Sequence, residues 1–387
     1  MTCSHQLSLA DKVAFLSRPG AYAHSVDAVT LRETHMSWVF LAGDRVYKLK
    51  KPVRFPYLDF STLDRREAAC RAEVALNRRL APDVYIGVAP LTLSSSGPSI
   101  GGAGPIADWL VVMNRLDERW ALEQVLRERR LDTSQLDRLV ATLVRFYRRA
   151  RPVFLSAGAH LSRWSENLTA NRRVLLDPRF ALPCALIQRV DRIQRRFVAE
   201  HRRMLEVRAL RHRIVDGHGD LRPEHIWLNA EVRIIDCLEF NARLRAVDPF
   251  DEIAYLDLEC ERLGAAWAGR YIKTRVEHGL NEHLPAALFH FYRSYRAMLR
   301  ARLAIAHLSE PAPRTPEKWP GRARAYLDIG ARDAARLETL LRTPQGRSAR
   351  GHRGGAQSSR REAARWGGFP ACPARHRSPN GTLARCR

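Results

Sequence analysis

Apolar positions recur with different spacings along the chain, and the changes of spacing divide it. Leu7, Leu9, Val13, Phe15 and Leu16 fit a short amphipathic helix within residues 1–28, ended by a turn at Pro19-Gly20. The apolar run Trp38-Val39-Phe40-Leu41, the turn signal Gly43-Asp44 and the segment Arg45 to Lys50 then predict a β-hairpin. Side chains alternate along a strand, so Val46, Lys48 and Lys50 share one face and Tyr47 and Leu49 the other. Ser61-Thr62-Leu63-Asp64 has capping-box spacing and opens a long helix to about Leu80, where Ala81-Pro82 stops it. Ala69, Glu73, Leu76 and Leu80 fall on one stripe of that helix. A carboxylate on an apolar stripe must meet a cation or sit at the rim.

The Ser/Gly-rich stretch from Leu91 to Pro105 reads as a turn region, and Trp109-Leu110-Val111-Val112-Met113 as a buried strand. After Asn114 the period becomes helical, over residues 122–130, 134–149, 163–175 and 183–210. A second hairpin follows, with strands at 226–228 and 232–235, and then helix again from Asp251, including an apolar stretch from Leu284 through Leu308. The pattern predicts an α+β, bilobal chain. Residues 1–113 form a small antiparallel-sheet lobe with one long helix, and residues 114–342 a larger, mainly helical lobe carrying a hairpin. From Thr343 the composition shifts to seven Gly, four Pro and ten Arg against one acid, so residues 343–387 read as a basic, disordered tail.

Composition narrows the class. With 45% apolar and 27% charged residues in 387, the chain is neither fibrous nor disordered overall. No run approaches the ~18 consecutive apolar residues of a membrane helix. The start, MTCSHQLSLADKVAFL, lacks the marks of a signal peptide. Seven scattered cysteines without a CxxC pair argue against a disulfide framework or a cysteine zinc site. The expectation is a cytoplasmic protein with no membrane partner. The net charge of +24 raises a nucleic-acid-binding module as one alternative. No zinc-finger, RNA-recognition or homeodomain pattern accompanies the charge, which leaves that reading the weaker one.

The chemistry concentrates in His218-Gly219-Asp220-Leu221-Arg222-Pro223-Glu224-His225, followed by Ile234-Ile235-Asp236. A hairpin between them folds the second carboxylate back beside the first. Phosphoryl transfer needs such a pair, one carboxylate to orient an acceptor hydroxyl and accept its proton, the other to hold Mg²⁺ on the nucleotide phosphates.

HGDLRPEHI with IIDCLEF resembles the catalytic loop and metal-binding strand of the aminoglycoside phosphotransferase family, within the protein-kinase-like superfamily. THMSWVFLAGDRVYKLKKPV, DFSTLDRREAACRAEVALNRRLAPDVY and VVMNRLDERWALEQVL extend the likeness to an uncharacterised bacterial branch, often fused to a C-terminal P-loop ATPase domain. The resemblance spans roughly residues 20 to 310. It implies a protein-kinase-like fold, and an ATP- and Mg²⁺-dependent phosphotransferase acting on a hydroxyl of a small molecule. Asp220 is then the base and Asp236 the metal ligand. Lys48 contacts the α/β-phosphates and pairs with Glu73, with Lys50 and Glu67 as runners-up. The segment Met113 to Leu116, with Arg115, receives the adenine.

This chain departs from the family pattern in three places. His225 stands where a typical member has Asn, and Mg²⁺ prefers hard oxygens to imidazole. His225 therefore ligates metal weakly, acts through a water, or braces the loop. Thr34-His35-Met36-Ser37 replaces a Gly-rich loop, so the Thr34 and Ser37 hydroxyls and backbone amides would cradle the phosphates. Glu239, three residues after Asp236, is a second metal contact or the partner of a nearby Arg. His218 reads as a brace for the loop, as do Arg245, Asp248 and Asp251. These departures also leave open a nucleotide-binding pseudokinase or regulatory module with little turnover. Residues 163–213 hold 13 Arg against five acids, which points to a neutral or anionic acceptor. The oligomeric state is not legible.

Overall fold

The computed structural model describes residues 7–342 except 56, 311, 312 and 314. The expected basic tail at 343–387 lies outside the described residues. The chain begins with α1 (Leu9–Leu16), closed by a reciprocal capping box between Ser8 and Asp11. Strands β1 (Val29–Glu33), β2 (Ser37–Ala42) and β3 (Arg45–Lys50) form an antiparallel meander. Gly43, at φ +60°, lets the predicted two-residue turn place Ala42 opposite Arg45. A small ribbon, β4 (Arg54–Phe55) with β5 (Leu58–Asp59), leads into α2 (Leu63–Asn77). The cap of α2 is Thr62, whose hydroxyl accepts from the Arg65 amide, one residue later than the capping-box spacing suggests. Ser61 bonds Asp59 instead.

Strands β6 (Tyr85–Ser94), β7 (Gly97–Ile100) and β8 (Ile106–Asn114) complete a six-stranded sheet in the order β1-β2-β3-β8-β6-β7. The stretch from Leu91 to Pro105, expected as turns, therefore contains strand pairing. Gly87 and Pro90 hide it in the sequence. The sheet absorbs Gly87 with a register shift after Tyr85, and apolar β8 offers β6 an open edge along its whole length. The two faces of β3 separate as the alternation requires. Val46 packs with Cys70, Val74, Val111 and Met113 on the α2 side, and Tyr47 and Leu49 pack with Leu16, Tyr22 and Phe40 on the α1 side. Asp108 on β8 ties both helices to the sheet, receiving Lys12 and Arg66 at 2.7 Å each, all three buried.

The larger part is helical, with α3 (Leu122–Arg127), α4 (Thr133–Arg149), α5 (Ala157–Leu175), α6 (Cys184–Glu200) and α7 (Arg202–Leu210). The expected single helix over 183–210 breaks at His201, whose ring stacks on Phe197. Short β9 (Val215–Asp216), the hairpin β10 (Ile226–Trp227) with β11 (Arg233–Ile234), α8 (Ala242–Arg245) and β12 (Ala246–Val247) carry the chemistry-bearing loops. Helices α9 (Pro249–Arg262), α10 (Ala266–Leu280), α11 (Ala286–Ala306) and α12 (Lys318–Arg342) close the core. The α+β architecture expected is thus present, an antiparallel sheet with one long helix joined to a larger helical part. Among the described residues no helix is long and apolar enough to cross a membrane.

Removing one partner from a buried charge cluster leaves the others uncompensated, at about 3–5 kcal/mol. Asp108→Ala strands both Lys12 and Arg66, and urea unfolding should show a loss of that size, whereas Glu67→Ala, which breaks only a solvent-facing pair with Arg71, should lose under about 1 kcal/mol.

Candidate active site

The hairpin β10–β11 brings the two expected carboxylates together. Asp220 lies on the loop before β10 and Asp236 immediately after β11, with the His225 ring between them. His225 Nδ1 is 3.7 Å from Asp220 Oδ2, and Nε2 is 3.6 Å from Asp236 Oδ2. The ring is oriented by the loop itself, since Nδ1 lies 3.0 Å from the Asp220 carbonyl oxygen. Nε2 faces Asp236 and lies 3.2 Å from Arg222 Nη2.

The loop's shape is fixed from below. Glu252, fully buried on α9, accepts the backbone N–H groups of His218 and Gly219, and the Tyr147 hydroxyl at 2.9 Å. His218 donates from Nε2 to the Ile235 carbonyl and accepts the Asp220 amide on Nδ1, at 2.9 and 3.2 Å. Burial and the neighbouring His225 press its pKa down to about 4. His218 is therefore a neutral brace tying the first carboxylate's loop to the second carboxylate's strand. Gly219 has φ +89°, and a Cβ there would come within 2.9 Å of Leu238. Arg245 also spans both segments, bonding Asp216 and the Leu238 carbonyl at 2.7 Å each. Asp248 and Asp251 instead face Arg208 and Arg296, so they fasten α9 to α7 and α11.

Lys48 reaches across from β3. Its Nζ is 2.9 Å from Glu73 Oε1 and 2.6 Å from Asp236 Oδ1. Lys50, the runner-up, takes the other Glu73 oxygen at 2.6 Å and Glu239 at 2.5 Å. Glu239 thus pairs with a lysine of the sheet, neither with a nearby Arg nor turned to the metal position. Burial would lower the Lys48 pKa, and the Asp236 and Glu73 carboxylates more than reverse this, raising it well above the ordinary value. Burial also opposes ionisation of Asp236, but Lys48 and His225 hold it far below the carboxylate range. Asp220 is likewise held ionised against burial by Arg222 and His225. Arg222 Nη2 lies 2.8 Å from Asp220 Oδ2, and the Tyr255 hydroxyl donates to Oδ1 at 3.1 Å.

Thr34 and Ser37 bracket the β1–β2 turn and bond each other. The Thr34 amide donates to the Ser37 carbonyl at 2.8 Å, and Thr34 Oγ1 accepts the Ser37 amide at 2.9 Å. The Thr34 hydroxyl and the two amides thus close the turn on itself. Met113 is buried on the cleft-side face with Leu116 and Ile235 packed beside it. Arg115 points elsewhere: its amide donates to the Asp44 carbonyl and its guanidinium to that of Gly43. The β2–β3 turn claims it. Arg222, Tyr255 and Glu252 are the site residues that sequence reasoning left unassigned. Arg222 sits inside the quoted motif, whereas Glu252 lies among several acids of α9, and nothing local marks which of them meets the loop.

No family model matches the chain. It is 35% identical over 291 residues to uncharacterised proteins of Mycobacterium tuberculosis and Mycobacterium bovis, a match covering 74% of this chain. The match spans 56% of those relatives' length. Similar solved structures include a choline/ethanolamine kinase family protein from Mesorhizobium loti. It shows 17% identity and TM-score 0.48, over 87% of this chain and 96% of that one. A thermostable mutant of an aminoglycoside phosphotransferase shows 13% identity and TM-score 0.44, over 79% and 96% of the two chains. At these values the likeness carries no conclusion about activity.

Burial of neutral His218 has a pH signature. The unfolded chain takes up a proton near pH 6.5 and the folded chain only near pH 4, so this residue lowers stability as pH falls through that window, by about 3 kcal/mol at its foot. The urea midpoint of His218→Gln should fall less between pH 7 and pH 4.5 than that of the wild type. An identical acid slope in the two would contradict the assignment.

Proposed function

We propose that this chain transfers the γ-phosphoryl group of ATP, with Mg²⁺, to a hydroxyl of a small molecule, with Asp220 as base. The observation that carries the reading is the continuous run Asp220–His225–Asp236–Lys48–Glu73, with successive separations of 3.7, 3.6, 2.6 and 2.9 Å. An acceptor site, a metal-binding oxygen and a phosphate-binding cation meet there.

Each residue has a role that follows from its surroundings. Asp220 stays ionised at neutral pH and so can accept a hydrogen bond from the acceptor hydroxyl, orient its oxygen and take its proton as the bond to phosphorus forms. Tyr255 and Arg222 fix the carboxylate. Arg222 Nε is buried without a hydrogen-bond partner among the described residues. Lys48 would contact the α/β-phosphates, kept in place by Glu73. Asp236 uses Oδ1 for Lys48 and faces His225 with Oδ2, and its side chain is 46% exposed, unlike Glu73. That oxygen, with His225 Nε2 as the weaker donor, would hold Mg²⁺, and the donor set fits one hard oxygen better than it fits the nitrogen. When bound, Mg²⁺ would supply charge neutralisation on the phosphate oxygens. Met113 and Leu116 would pack against the adenine, with Arg115 excluded by its bonds to the β2–β3 turn.

The acceptor side is cationic. Arg300 adds its field to that of Arg222 at Asp220 and also lies over the Tyr255 ring at 6.0 Å. We infer a neutral or anionic acceptor. By contrast, the arginines of residues 163–213 that prompted this expectation are largely paired on the helices, as in Arg172–Asp191, Arg196–Glu200 and Arg202–Glu206.

ADP release measured over a metabolite collection, with Mg²⁺ and with Mn²⁺, tests the activity. With the acceptor so found, Asp220→Asn should lower kcat about 10²- to 10⁴-fold with little change in the KM for ATP, and Asp236→Ala should abolish metal-dependent turnover. Indifference to both substitutions rejects the enzyme and leaves the nucleotide-binding regulatory module. Arg300→Gln should raise the acceptor KM about tenfold, corresponding to one lost charge contact of ~1.4 kcal/mol. A polycationic aminoglycoside as the preferred acceptor would overturn the charge argument.

A further inference from the structure

A second cluster of donor side chains lies away from the carboxylate pair. His35 is at the tip of the β1–β2 turn, His307 just past the end of α11, and Glu310 three residues further on. Glu310 Oε1 is 3.2 Å from His35 Nδ1 and 2.6 Å from His307 Nδ1, and the three ligand atoms lie within 4.8 Å of one another. The cluster draws on both ends of the fold, since His35 comes from the sheet and the other two from the helical part.

We propose that His35, His307 and Glu310 form a binding site for a borderline divalent transition metal of the Zn²⁺ class, which ties the β1–β2 turn to the end of α11. The chemistry of the donors selects the metal. Two imidazoles and one carboxylate suit Zn²⁺ and its neighbours in the transition series, whereas Mg²⁺ and Ca²⁺ favour all-oxygen sets. Tetrahedral ligands at about 2.0–2.1 Å from zinc stand roughly 3.3 Å apart. The His35–Glu310 separation already meets that, and the His307–Glu310 pair needs to open by less than an ångström. Both rings are held by aromatic packing: Phe55 stacks on His35 at 4.6 Å and Trp319 on His307 at 4.1 Å. The rings stand nearly perpendicular, at 88°, with their Nδ1 atoms converging on the same carboxylate oxygen.

Burial favours the neutral, metal-binding form of His35, with His307 and Lys51 adding to the same effect and Glu310 opposing it. Lys51 is the neighbouring positive charge. It donates to the Thr34 carbonyl at 2.8 Å and pairs with Glu33, which moderates its repulsion of a bound cation. The three side chains are about one-third exposed, at 33%, 34% and 27%, which leaves an approach for the ion and a fourth position for water. This His/Glu site is invisible in the sequence because its ligands are far apart along the chain.

The inference does not depend on the phosphotransferase reading, because binding is read without nucleotide. Zn²⁺ titration of the full chain by calorimetry, in excess Mg²⁺ to occupy carboxylate-only sites, is compared with His307→Ala and Glu310→Gln. The wild type should bind one equivalent of Zn²⁺ beyond what His307→Ala binds, and Glu310→Gln should weaken that equivalent about tenfold or more. Zn²⁺ should also raise the thermal midpoint of the wild type and not that of either variant. Equal stoichiometry and affinity in all three proteins, or no Zn²⁺ binding to the wild type, overturns the proposal. Should His307→Ala fail to fold, His35→Gln takes its place in the same comparison.

Discussion

Glu73 is a carboxylate with no exposure, on a helix face turned to apolar side chains, and it can stay charged there because two lysines reach it. The arrangement follows from strand geometry. Lys48 and Lys50 are two residues apart, so their side chains leave β3 on the same face and each takes one oxygen of the same carboxylate. Their other partners are Asp236 and Glu239, three residues apart on the segment after β11. The result is a row of alternating charges that fixes the register between the sheet and the β10–β11 hairpin. It contains three acids and two lysines. The uncompensated negative charge is most accessible at Asp236, because Glu73 is buried and the Glu239 side chain is only 11% exposed. Burial pushes the Glu239 pKa upward even against Lys50, which moves the ionised excess further toward Asp236. The negative excess of the row therefore lies at its outer end, not along its buried length.

The same end of the row is conformationally strained. Asp236 adopts φ +66°, a left-handed conformation that costs a non-glycine residue roughly 1–2 kcal/mol. Its amide donates to the Tyr85 hydroxyl at 3.3 Å, and the following Cys237 amide donates to Asn77 at 2.9 Å. Both acceptors belong to the sheet part, so the strain is held by the contact between lobes. On the opposite strand of the loop Gly219 is also left-handed, with its amide and that of His218 turned to Glu252. The two aspartates are thus presented by two local distortions, each pinned by a buried side chain.

How much of this could be read from the residues depends on the range of each interaction. The hairpin at Gly43-Asp44, the shared face of Lys48 and Lys50, and the isolated acid Glu73 are local in sequence, and the structure has each where alternation and helical period put it. The pairing of Asp220 with Asp236 is also local, because a short hairpin sets it. Longer-range facts were not legible. Glu252 has acidic neighbours on its own helix, and only the packing of α9 under the loop singles it out. Strand β6 contains Gly87 and Pro90, and its pairing depends on β8 supplying an edge. The bonds between the Thr34 hydroxyl and the Ser37 backbone, which close the β1–β2 turn, are not marked in the residues either.

The large positive charge has a structural explanation in part. Arg293, Arg296 and Arg300 leave α11 at helical spacing and meet Asp257, Asp251 and Glu259 of α9, a helix buried on every side. Replacing such pairs with apolar residues would often be neutral for stability, so their contribution lies in fixing which helix faces meet. That register matters here because Tyr255 and Glu252 stand on the same helix as those acids. Arg300 belongs to both systems, holding Glu259 at 3.0 Å while its field reaches Asp220. One cation thereby couples the packing of the helical core to the charge at Asp220. A substitution that re-registers α9 against α11 would move the brace beneath the loop and the field above it together.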